Sequence, residues 1–179
     1  MATIPLGKAG DSRRILIHTN PTPYVLGPED GEAFWGLDNS LWSLKATAEQ
    51  TGGRFSLIEE VAPRGEGRPL HVHREDDETF YVLDGELTFY LDNEQPISAS
   101  AGSFVHIPGG VVHAFKVDSE TARYPIITTL QHERFYRAIS EPAQSRTLPP
   151  ERPLDMEKVM DAAQEYGVEA LGPPPGARG

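Results

Sequence analysis

The part of the sequence that most restricts the fold is residues 42–131, where short apolar segments alternate with turns that contain Gly or Pro. The segments are rich in β-branched and aromatic residues, and many alternate in polarity, as strands with one buried face do. The eight candidate strands are WSLKATAE, GRFSLIEEVA, ETFYVLD, ELTFYLD, QPISAS, SFVHIP, VHAFKV and RYPIITTL. This pattern predicts an all-β antiparallel sandwich or barrel, and because we find no internal repeat we expect a single barrel.

The stretch VLDGELTF contains the clearest turn signal of this region. Asp84 and Gly85 stand between two apolar segments, and Asp-Gly is a dipeptide that a type I′ turn prefers. We therefore expect a β-hairpin here, which sets the register of the strands on both sides.

The segments that flank the barrel differ from it in composition. Residues 1–41 are rich in Pro and Gly and contain one candidate strand, RILIH, so we expect an N-terminal arm with a strand. Residues 132–179 are expected to form a C-terminal helical segment with a flexible tail. Its first helix is predicted over QHERFYRAIS, which has helical spacing of apolar residues.

A second C-terminal helix has clear signals at both ends. Asp155 is a plausible N-cap, and Gly167 stands at the C-terminal stop. Between them runs an apolar stripe of Val159, Ala162, Ala163 and Tyr166. The sequence GPPPGARG that follows is expected to be a disordered tail.

Composition excludes several classes of function. The chain has 179 residues, a formal net charge of -11 and no cysteine. The acidic charge disfavours nonspecific binding to nucleic acid or to an anionic membrane surface. Without cysteine there are no disulfides, thiolate metal ligands or cysteine nucleophiles. No signal peptide and no apolar run of about 18 residues is visible, so we expect a cytoplasmic protein.

The stretch PLHVHREDDETF combines residues that could bind a metal. Along a strand, alternate side chains share a face, so His71 and His73 point the same way. Glu78 has the opposite parity, but it faces the same way if REDD is a loop that resets the register. His113 follows the turn IPGG at the head of another candidate strand. Three imidazoles and one carboxylate suit a divalent transition metal such as Fe, Mn, Ni, Co, Cu or Zn.

Taken singly, a His-x-His pair and an acidic run are more often surface features, but the full spacing resembles that of the cupin superfamily. The first motif of that family is met by Gly65, His71, His73, Glu78 and Gly85. The second motif is met by Gly102, Pro108, Gly110 and His113, with Val117 where the family has Asn. That Asn is not a ligand in the family, so its loss concerns local packing. The resemblance implies a jelly-roll barrel, or double-stranded β-helix, with His71, His73, Glu78 and His113 as metal ligands.

Within the superfamily the chain looks most like the single-domain cupins that are similar to quercetin dioxygenase. The segments that carry this likeness are TGGRFSLIEEVAPRGEG, FYVLDGELTF and HERFYRAISEPA. The resemblance implies a metal-dependent dioxygenase that acts on a flavonol-like or other enolisable hydroxy-carbonyl small molecule. Glu78 would then also be catalytic, as the acceptor of the substrate's hydroxyl proton. Partners implied are this substrate, dioxygen and, given exposed strand edges, a second copy in a homodimer.

Two other functions are open on the same scaffold, because fold alone does not define chemistry. One is a metal-assisted isomerase or polyketide cyclase, and the other is a cupin that binds a small molecule without catalysis.

Several further side chains are weaker candidates. His106 could face the pocket, although an exposed strand histidine is more common, and we interpret His18 and His132 as surface or structural. An apolar pocket could be lined by Phe80, Val82, Phe89, Leu91, Phe104 and Phe115, with hydroxyls from Tyr81 and Tyr90, or these could be ordinary barrel core. The helix with Phe135 and Tyr136 could cover the barrel mouth or pack on the outer sheet.

Overall fold

The computed structural model describes residues 22–36, 39–92, 95–151 and 153–173. The strands in this part of the chain are β1 (Glu32–Gly36), β2 (Leu41–Ala46), β3 (Ser56–Pro63), β4 (Gly67–His73), β5 (Glu78–Tyr81), β6 (Glu86–Leu91), β7 (Ile97–Ser100), β8 (Phe104–Ile107), β9 (His113–Val117), β10 (Thr121–Thr128), β11 (Ser140–Pro142) and β12 (Val168–Gly172). The helices are α1 (Leu130–Ala138) and α2 (Met156–Tyr166).

The strands form two antiparallel sheets that face each other. The first has the order β11-β1-β2-β3-β10-β5-β8, and the second has the order β12-β4-β9-β6-β7. Strands that are adjacent in sequence repeatedly change sheet, as in a jelly roll. The predicted all-β fold is therefore confirmed, and each of the eight candidate strands overlaps an observed strand.

The core between the sheets is built around four fully buried aromatic rings. Phe80 and Tyr124 come from the first sheet, and Phe89 and Phe115 come from the second. Neighbouring ring centroids lie 5.1 to 6.0 Å apart, in edge-to-face or tilted arrangements that aromatic pairs prefer. These contacts join the two sheets into one core.

The hairpin predicted at Asp84 and Gly85 is wrong. β5 pairs with β10 and β8, whereas β6 pairs with β7 and β9, so the two segments belong to different sheets. Gly85 has a φ of +83°, but Asp84 does not have a positive φ, so the turn is not of type I′. The dipeptide forms a corner between the sheets, where Asp84 bridges to Arg123 of β10.

The flanking segments contain more strand than the sequence indicated. β1, β11 and β12 were not predicted, and they extend the edges of the two sheets. The candidate strand RILIH and nearly all of the predicted tail lie outside the described residues. Both predicted helices are present. No helix in the described part of the chain is long and apolar enough to cross a membrane.

The residues predicted to begin and end α2 are confirmed. The Asp155 carboxylate accepts a hydrogen bond from the Lys158 amide, and Gly167 ends the helix with a φ of +74°. The stripe of α2 packs against the core, with Ala162 and Ala163 buried. α1 begins after Thr129, whose side chain accepts from the His132 amide. The two helices contact each other and cover one end of the barrel beside β4 and β12.

Candidate metal centre

The four predicted ligands come from three strands in the two sheets. His71 and His73 lie on β4, and His113 opens β9, the neighbour of β4 in the second sheet. His71 and His113 are cross-strand partners, which brings their rings together. Glu78 opens β5 in the first sheet. All four side chains are buried, so the site lies between the sheets.

The local sequence explains how Glu78 comes to face the histidines. β4 ends at His73 and β5 begins at Glu78, so the intervening residues form the predicted loop and change the parity. The Gly109 amide donates to the Asp77 carboxylate at 2.9 Å, and the Gly110 amide donates to the His73 carbonyl at 2.7 Å. These bonds fasten the turn before β9 onto the loop after β4. They keep the end of β4, the start of β5 and the start of β9 close together.

The potential ligand atoms converge on one point. One ligand atom from each of the four residues lies within 4.8 Å of all the others, which is a spacing that could hold a metal ion. Glu78 Oε2 lies 3.1 Å from His113 Nε2 and 3.9 Å from His73 Nε2. The His71 and His113 ring centroids are 4.1 Å apart.

Backbone carbonyls bind the Nδ1 atoms of two of the histidines. His71 Nδ1 is 2.8 Å from the Pro69 carbonyl, and His113 Nδ1 is 2.9 Å from the Val111 carbonyl. A carbonyl accepts only, so in the neutral His71 ring Nδ1 carries the proton and Nε2 offers a lone pair. His113 Nε2 is hydrogen-bonded to Glu78 Oε2 at 3.1 Å, and a bound ion would replace the proton between these two atoms. Carbonyl acceptors behind the ring are the usual second partners of metal-binding histidines.

His73 gives the strongest local sign that the site fits a metal. Neither of its ring nitrogens has a hydrogen-bond partner among the described residues, although the side chain is buried. A buried polar group without a partner carries a free-energy penalty. A divalent ion near His73 Nε2 would satisfy one of the two nitrogens and so reduce this penalty, and the residues present fit the metal that the donor set implies.

The protonation states also favour a cation site. Burial, with help from neighbouring histidines, lowers the pKa of both His71 and His73 to about 3, so their lone pairs are available at neutral pH. Burial alone would raise the pKa of Glu78, but the surrounding histidines outweigh it and keep the carboxyl ionised. Burial also opposes protonation of His113, yet its hydrogen bond to Glu78 raises its pKa.

His132 lies beside the site and is buried, so of its two interpretations, surface or structural, the surface one is wrong. It extends from α1, is 2 % exposed, and its ring centroid lies 4.1 Å from that of His73. His132 Nε2 is 4.0 Å from Glu78 Oε1, and burial lowers the pKa of His132 to about 4. A signal was available in the sequence, because His132, Phe135 and Tyr136 share one face of the predicted helix.

Tyr136 is the second group that α1 brings to the site. Its hydroxyl donates to Glu78 Oε1 at 3.4 Å, and its ring lies 4.6 Å from that of Trp42. Burial, reinforced by the Glu78 carboxylate, raises the pKa of the phenol well above its usual value, so Tyr136 stays a donor. Of the two positions considered for this helix, the barrel mouth is the observed one.

An open cavity lies beside the ligand cluster. Its volume is about 810 Å³, which includes space at its mouth. The polar groups that line it include His71, His73, Glu78 and His132. Most of the remaining wall is apolar and comes largely from the two helices, with Phe135, Tyr136, Ile139, Met156, Val159, Met160 and Ala163. Such a cavity suits a flat apolar molecule that carries a few polar groups.

The other predicted pocket residues do not line this cavity. Phe80, Val82, Phe89 and Phe115 are fully buried core residues, and Phe104 is exposed. Leu91, Tyr81 and Tyr90 also lie outside the lining. His106 is an exposed strand histidine, and its Nδ1 lies 2.8 Å from the Thr79 hydroxyl. The alternating pattern of the sequence placed these residues on strands, whereas most residues that line the cavity come from the two helices.

Comparison with known proteins agrees with this architecture. Residues 57–128 match the family model of the cupin domain. The chain is 27% identical over 153 residues to quercetin 2,3-dioxygenase of Bacillus subtilis (strain 168), an alignment that covers 84% of this chain and 45% of that protein. The chain thus spans less than half the length of this relative.

Solved structures share the fold at low sequence identity. The polyketide cyclase RemF from Streptomyces resistomycificus aligns with a TM-score of 0.54 and 18% identity, over 79% of this chain and 99% of its own. A predicted oxalate decarboxylase from Thermotoga maritima aligns with a TM-score of 0.53 and 17% identity, over 60% and 99% of the two chains. At these low sequence identities, the similarity shows a shared fold and nothing about function.

The two facing sheets and the buried histidine and carboxylate cluster resemble those of a cupin domain, whose family model residues 57–128 match. Over most of its length the chain is also similar to quercetin 2,3-dioxygenase, at 27% identity.

Proposed function

We propose that this protein is a metal-dependent dioxygenase that acts on a flavonol-like or other enolisable hydroxy-carbonyl small molecule. The observation that carries the proposal is the convergence of His71, His73, His113 and Glu78 beside an apolar cavity, which all of them except His113 help to line. In such an arrangement, a metal-binding site lies next to a binding site for an organic molecule.

We assign the binding of one divalent transition metal ion to these four residues. When bound, the ion supplies Lewis-acid chemistry and a template for substrate and dioxygen. The rigid strands and the carbonyls behind His71 and His113 orient the imidazoles in advance. The cavity beside the four residues would let a substrate molecule reach an ion that they held.

The cavity supports the choice of substrate class. Its apolar wall favours a flat ring system and excludes water from the neighbourhood of the ligands. Polar groups that can contact a hydroxyl or carbonyl include Glu78, His132 and Tyr136. This distribution fits a molecule with its oxygen atoms on one edge.

Glu78 is the candidate catalytic residue. Its ionised carboxylate can accept the hydroxyl proton of the substrate, which turns an enol into the more electron-rich enolate. Tyr136 donates to Oε1 and so restricts the carboxylate to one orientation. The low exposure of Glu78 strengthens its electrostatic interactions with the neighbouring groups.

Oxygen consumption tests the proposal directly. Protein loaded in turn with Fe, Mn, Ni, Co, Cu and Zn is mixed with quercetin and related enols, and uptake is followed with an oxygen electrode. We expect uptake with at least one metal, and a loss of about 100-fold or more in Glu78→Gln. His106→Ala, which alters a histidine outside the cavity, is the matched control and should keep the wild-type rate. No uptake with any metal and substrate would refute the oxygenase proposal.

A metal-assisted isomerase or cyclase is the second candidate. It is favoured by the same three proton-handling side chains, Glu78, His132 and Tyr136, since these groups can move protons without dioxygen. Product formation under anaerobic conditions would support this candidate against the oxygenase. Tight binding without turnover in either atmosphere would instead support a ligand-binding cupin.

A further inference from the structure

Four side chains of α2 form an apolar stripe that lines the cavity. They are Met156, Val159, Met160 and Ala163, whose spacing of three and four residues places them on one face of the helix. Val159 and Ala163 also pack against the hydrophobic core. The two methionines are not part of that core, and their exposed fractions are 53% and 49%. Packing of the core therefore accounts for only half of the stripe.

Contacts elsewhere on α2 hold the helix in place. Its two buried side chains are alanines. Near its start, the Lys158 amino group donates to the Ser140 carbonyl at 3.2 Å. Near its end, the Tyr166 carbonyl accepts from the Gln131 amide at 2.9 Å. Neighbouring apolar side chains that stay exposed on a folded protein are a mark of ligand-binding grooves and other interaction sites, so the methionines call for a ligand.

The stripe runs from the proposed metal centre towards the mouth of the cavity. α2 ends just before β12, where Val168 is the cross-strand partner of His73. The C-terminal end of the stripe is therefore the end beside the metal centre, and Ala163 at that end is buried. The N-terminal end lies seven residues away, which is about 10 Å along a helix axis, and Met156 at that end is exposed.

The shape of the cavity follows from this direction. Its polar groups lie at the inner end, and the apolar stripe extends outwards from them. A single ring held by its polar group at the metal centre is shorter than the stripe and ends before the methionines. Several rings joined in line reach them. Methionine side chains are unbranched and flexible, so they adapt to rings of different outline.

We propose that Met156 and Met160 form a distal apolar subsite, which selects elongated molecules with several rings over single-ring molecules that carry the same polar group. α2 lies outside residues 57–128, which match the cupin domain, so this selectivity belongs to the C-terminal segment and not to the barrel. The polar group of the ligand rests on the proposed function, but the subsite acts in binding and needs no dioxygen.

Two ligands with the same polar group and different lengths test the subsite. Zinc-loaded protein is titrated anaerobically with 3-hydroxy-4-pyranone, which has one ring, and with 3-hydroxyflavone, which has three. Calorimetry measures both dissociation constants. In Met156→Gln/Met160→Gln the side chains keep their length and helix propensity but lose apolar surface. We expect this variant to bind 3-hydroxyflavone about ten-fold more weakly and to bind 3-hydroxy-4-pyranone as wild type does.

Three controls accompany this variant. Met156→Leu/Met160→Leu keeps the apolar surface and should retain the wild-type ratio of the two dissociation constants. Leu171→Gln removes a similarly exposed apolar side chain from β12, outside the cavity lining, and should also retain it. The zinc content, measured after each titration, should match wild type, because no substitution changes a residue assigned to the ion. Met156→Gln and Met160→Gln, each with a smaller loss, serve if the double variant does not fold.

The outcomes separate the subsite from the oxygenase proposal. An unchanged ratio in the folded glutamine variant would contradict the subsite, and so would an equal loss for both ligands. Failure of wild type to bind 3-hydroxyflavone would contradict it as well. A ratio that depends on the methionines, in a protein that never consumes oxygen, would support the subsite and refute the oxygenase. Oxygen consumption with an unchanged ratio would do the reverse.

Discussion

Glu60 and Arg68 form an ion pair inside the barrel. Glu60 is fully buried on β3, and Arg68 reaches it from β4 in the other sheet, with Arg68 Nη2 3.1 Å from Glu60 Oε2. The guanidinium carbon also lies 5.5 to 5.7 Å from the ring centroids of Trp42, Phe115 and Tyr136. Such a position combines charge pairing with cation–π contact.

Arg68→Met tests the importance of this pair. The substitution keeps an apolar stem but leaves the buried Glu60 carboxylate without its guanidinium, so we expect a loss of about 3–5 kcal/mol in the free energy of unfolding. Adding Glu60→Leu to this variant should recover much of the loss, because the uncompensated charge is then gone. Urea denaturation measures both values.

Arg74→Met is the matched control for the buried pair. Arg74 and Glu169 form an ion pair in which both side chains are at least half exposed. Exposed pairs contribute about 1 kcal/mol or less, so this variant should unfold almost as wild type does. Equal losses in the two arginine variants would contradict the role given to burial.

The buried histidines predict a dependence of stability on pH in the metal-free protein. The pKa is about 3 for His71 and His73 and about 4 for His132, against 6.5 for a free histidine. Below pH 6.5 these histidines therefore bind protons in the unfolded chain but not in the native state. The free energy of unfolding then falls as the pH decreases. The raised pKa of His113 acts in the opposite direction but concerns a single group.

Unfolding in urea at pH 7 and at pH 5 measures this effect. Each of the three histidines contributes a slope of up to about 1.4 kcal/mol per pH unit in this range. We expect a clearly less stable protein at pH 5, and a smaller decrease in His132→Phe, which lacks one of these groups. Equal stability at the two pH values would contradict the assigned protonation states.

Three of the four clustered residues could be predicted from local rules, whereas His113 was included because the spacing resembles the second cupin motif. Strand parity placed His71 and His73 on one face, and a loop of the right length turned Glu78 toward them. His132 could not be placed in the same way, since its distance to Glu78 depends on where α1 docks after β10. That docking is decided by tertiary contacts such as the Thr129 hydroxyl donating to Asp76.

At the scale of the elements, the turn between β5 and β6 shows that one sequence signal is compatible with two structures. Asp-Gly indicated a turn correctly, but sequence does not say whether a turn joins neighbours in one sheet or connects two sheets. Strand alternation likewise identified eight strands but missed β1, β11 and β12, whose short edge segments carry little periodicity. Pairing partners are decided by the packing of the whole barrel.

Gly85→Ala tests the tightness of this corner. A Cβ at Gly85 would lie 2.5 Å from the Thr121 carbonyl oxygen and 2.8 Å from Ala122 Cα, in addition to the strain of a φ of +83°. We expect a loss of about 3 kcal/mol or more in the free energy of unfolding. Gly102→Ala has a similar φ of +91° but no atom within 4 Å of the new Cβ, so about 1 kcal/mol is expected. Chemical denaturation measures the loss in free energy of unfolding for both variants. Losses of similar size would contradict the claim that close packing at Gly85 adds to the cost of its positive φ.

At the scale of the whole molecule, the two sheets meet at the proposed metal centre, so an ion should stabilise the entire fold. His71, His73 and His113 come from one sheet and Glu78 from the other. A ligand of the native state at 100 times its dissociation constant adds about 2.7 kcal/mol, which should raise the melting temperature by roughly 5–10 °C. A chelator should reverse the rise. Differential scanning fluorimetry measures it, and a rise of the same size in the double variant His113→Ala/Glu78→Ala would contradict the assignment.

Other expectations about the whole molecule stay predictions. These are the division into an arm, a barrel and a helical segment, the homodimer and the cytoplasmic location. Sedimentation velocity tests the homodimer. The sequence argument for it rests on exposed sheet edges, and in the structure β7 and β8 stand at the ends of their sheets, with Ile97 and Phe104 exposed.

The metal content of the purified protein tests the central claim most directly. Elemental analysis of wild type should find close to one divalent transition metal ion per chain, and Glu78→Ala and His113→Ala should each contain far less while remaining folded. His106→Ala should match wild type. A folded wild-type protein that contains no metal and takes up none on reconstitution would contradict the claim that His71, His73, His113 and Glu78 form a metal centre.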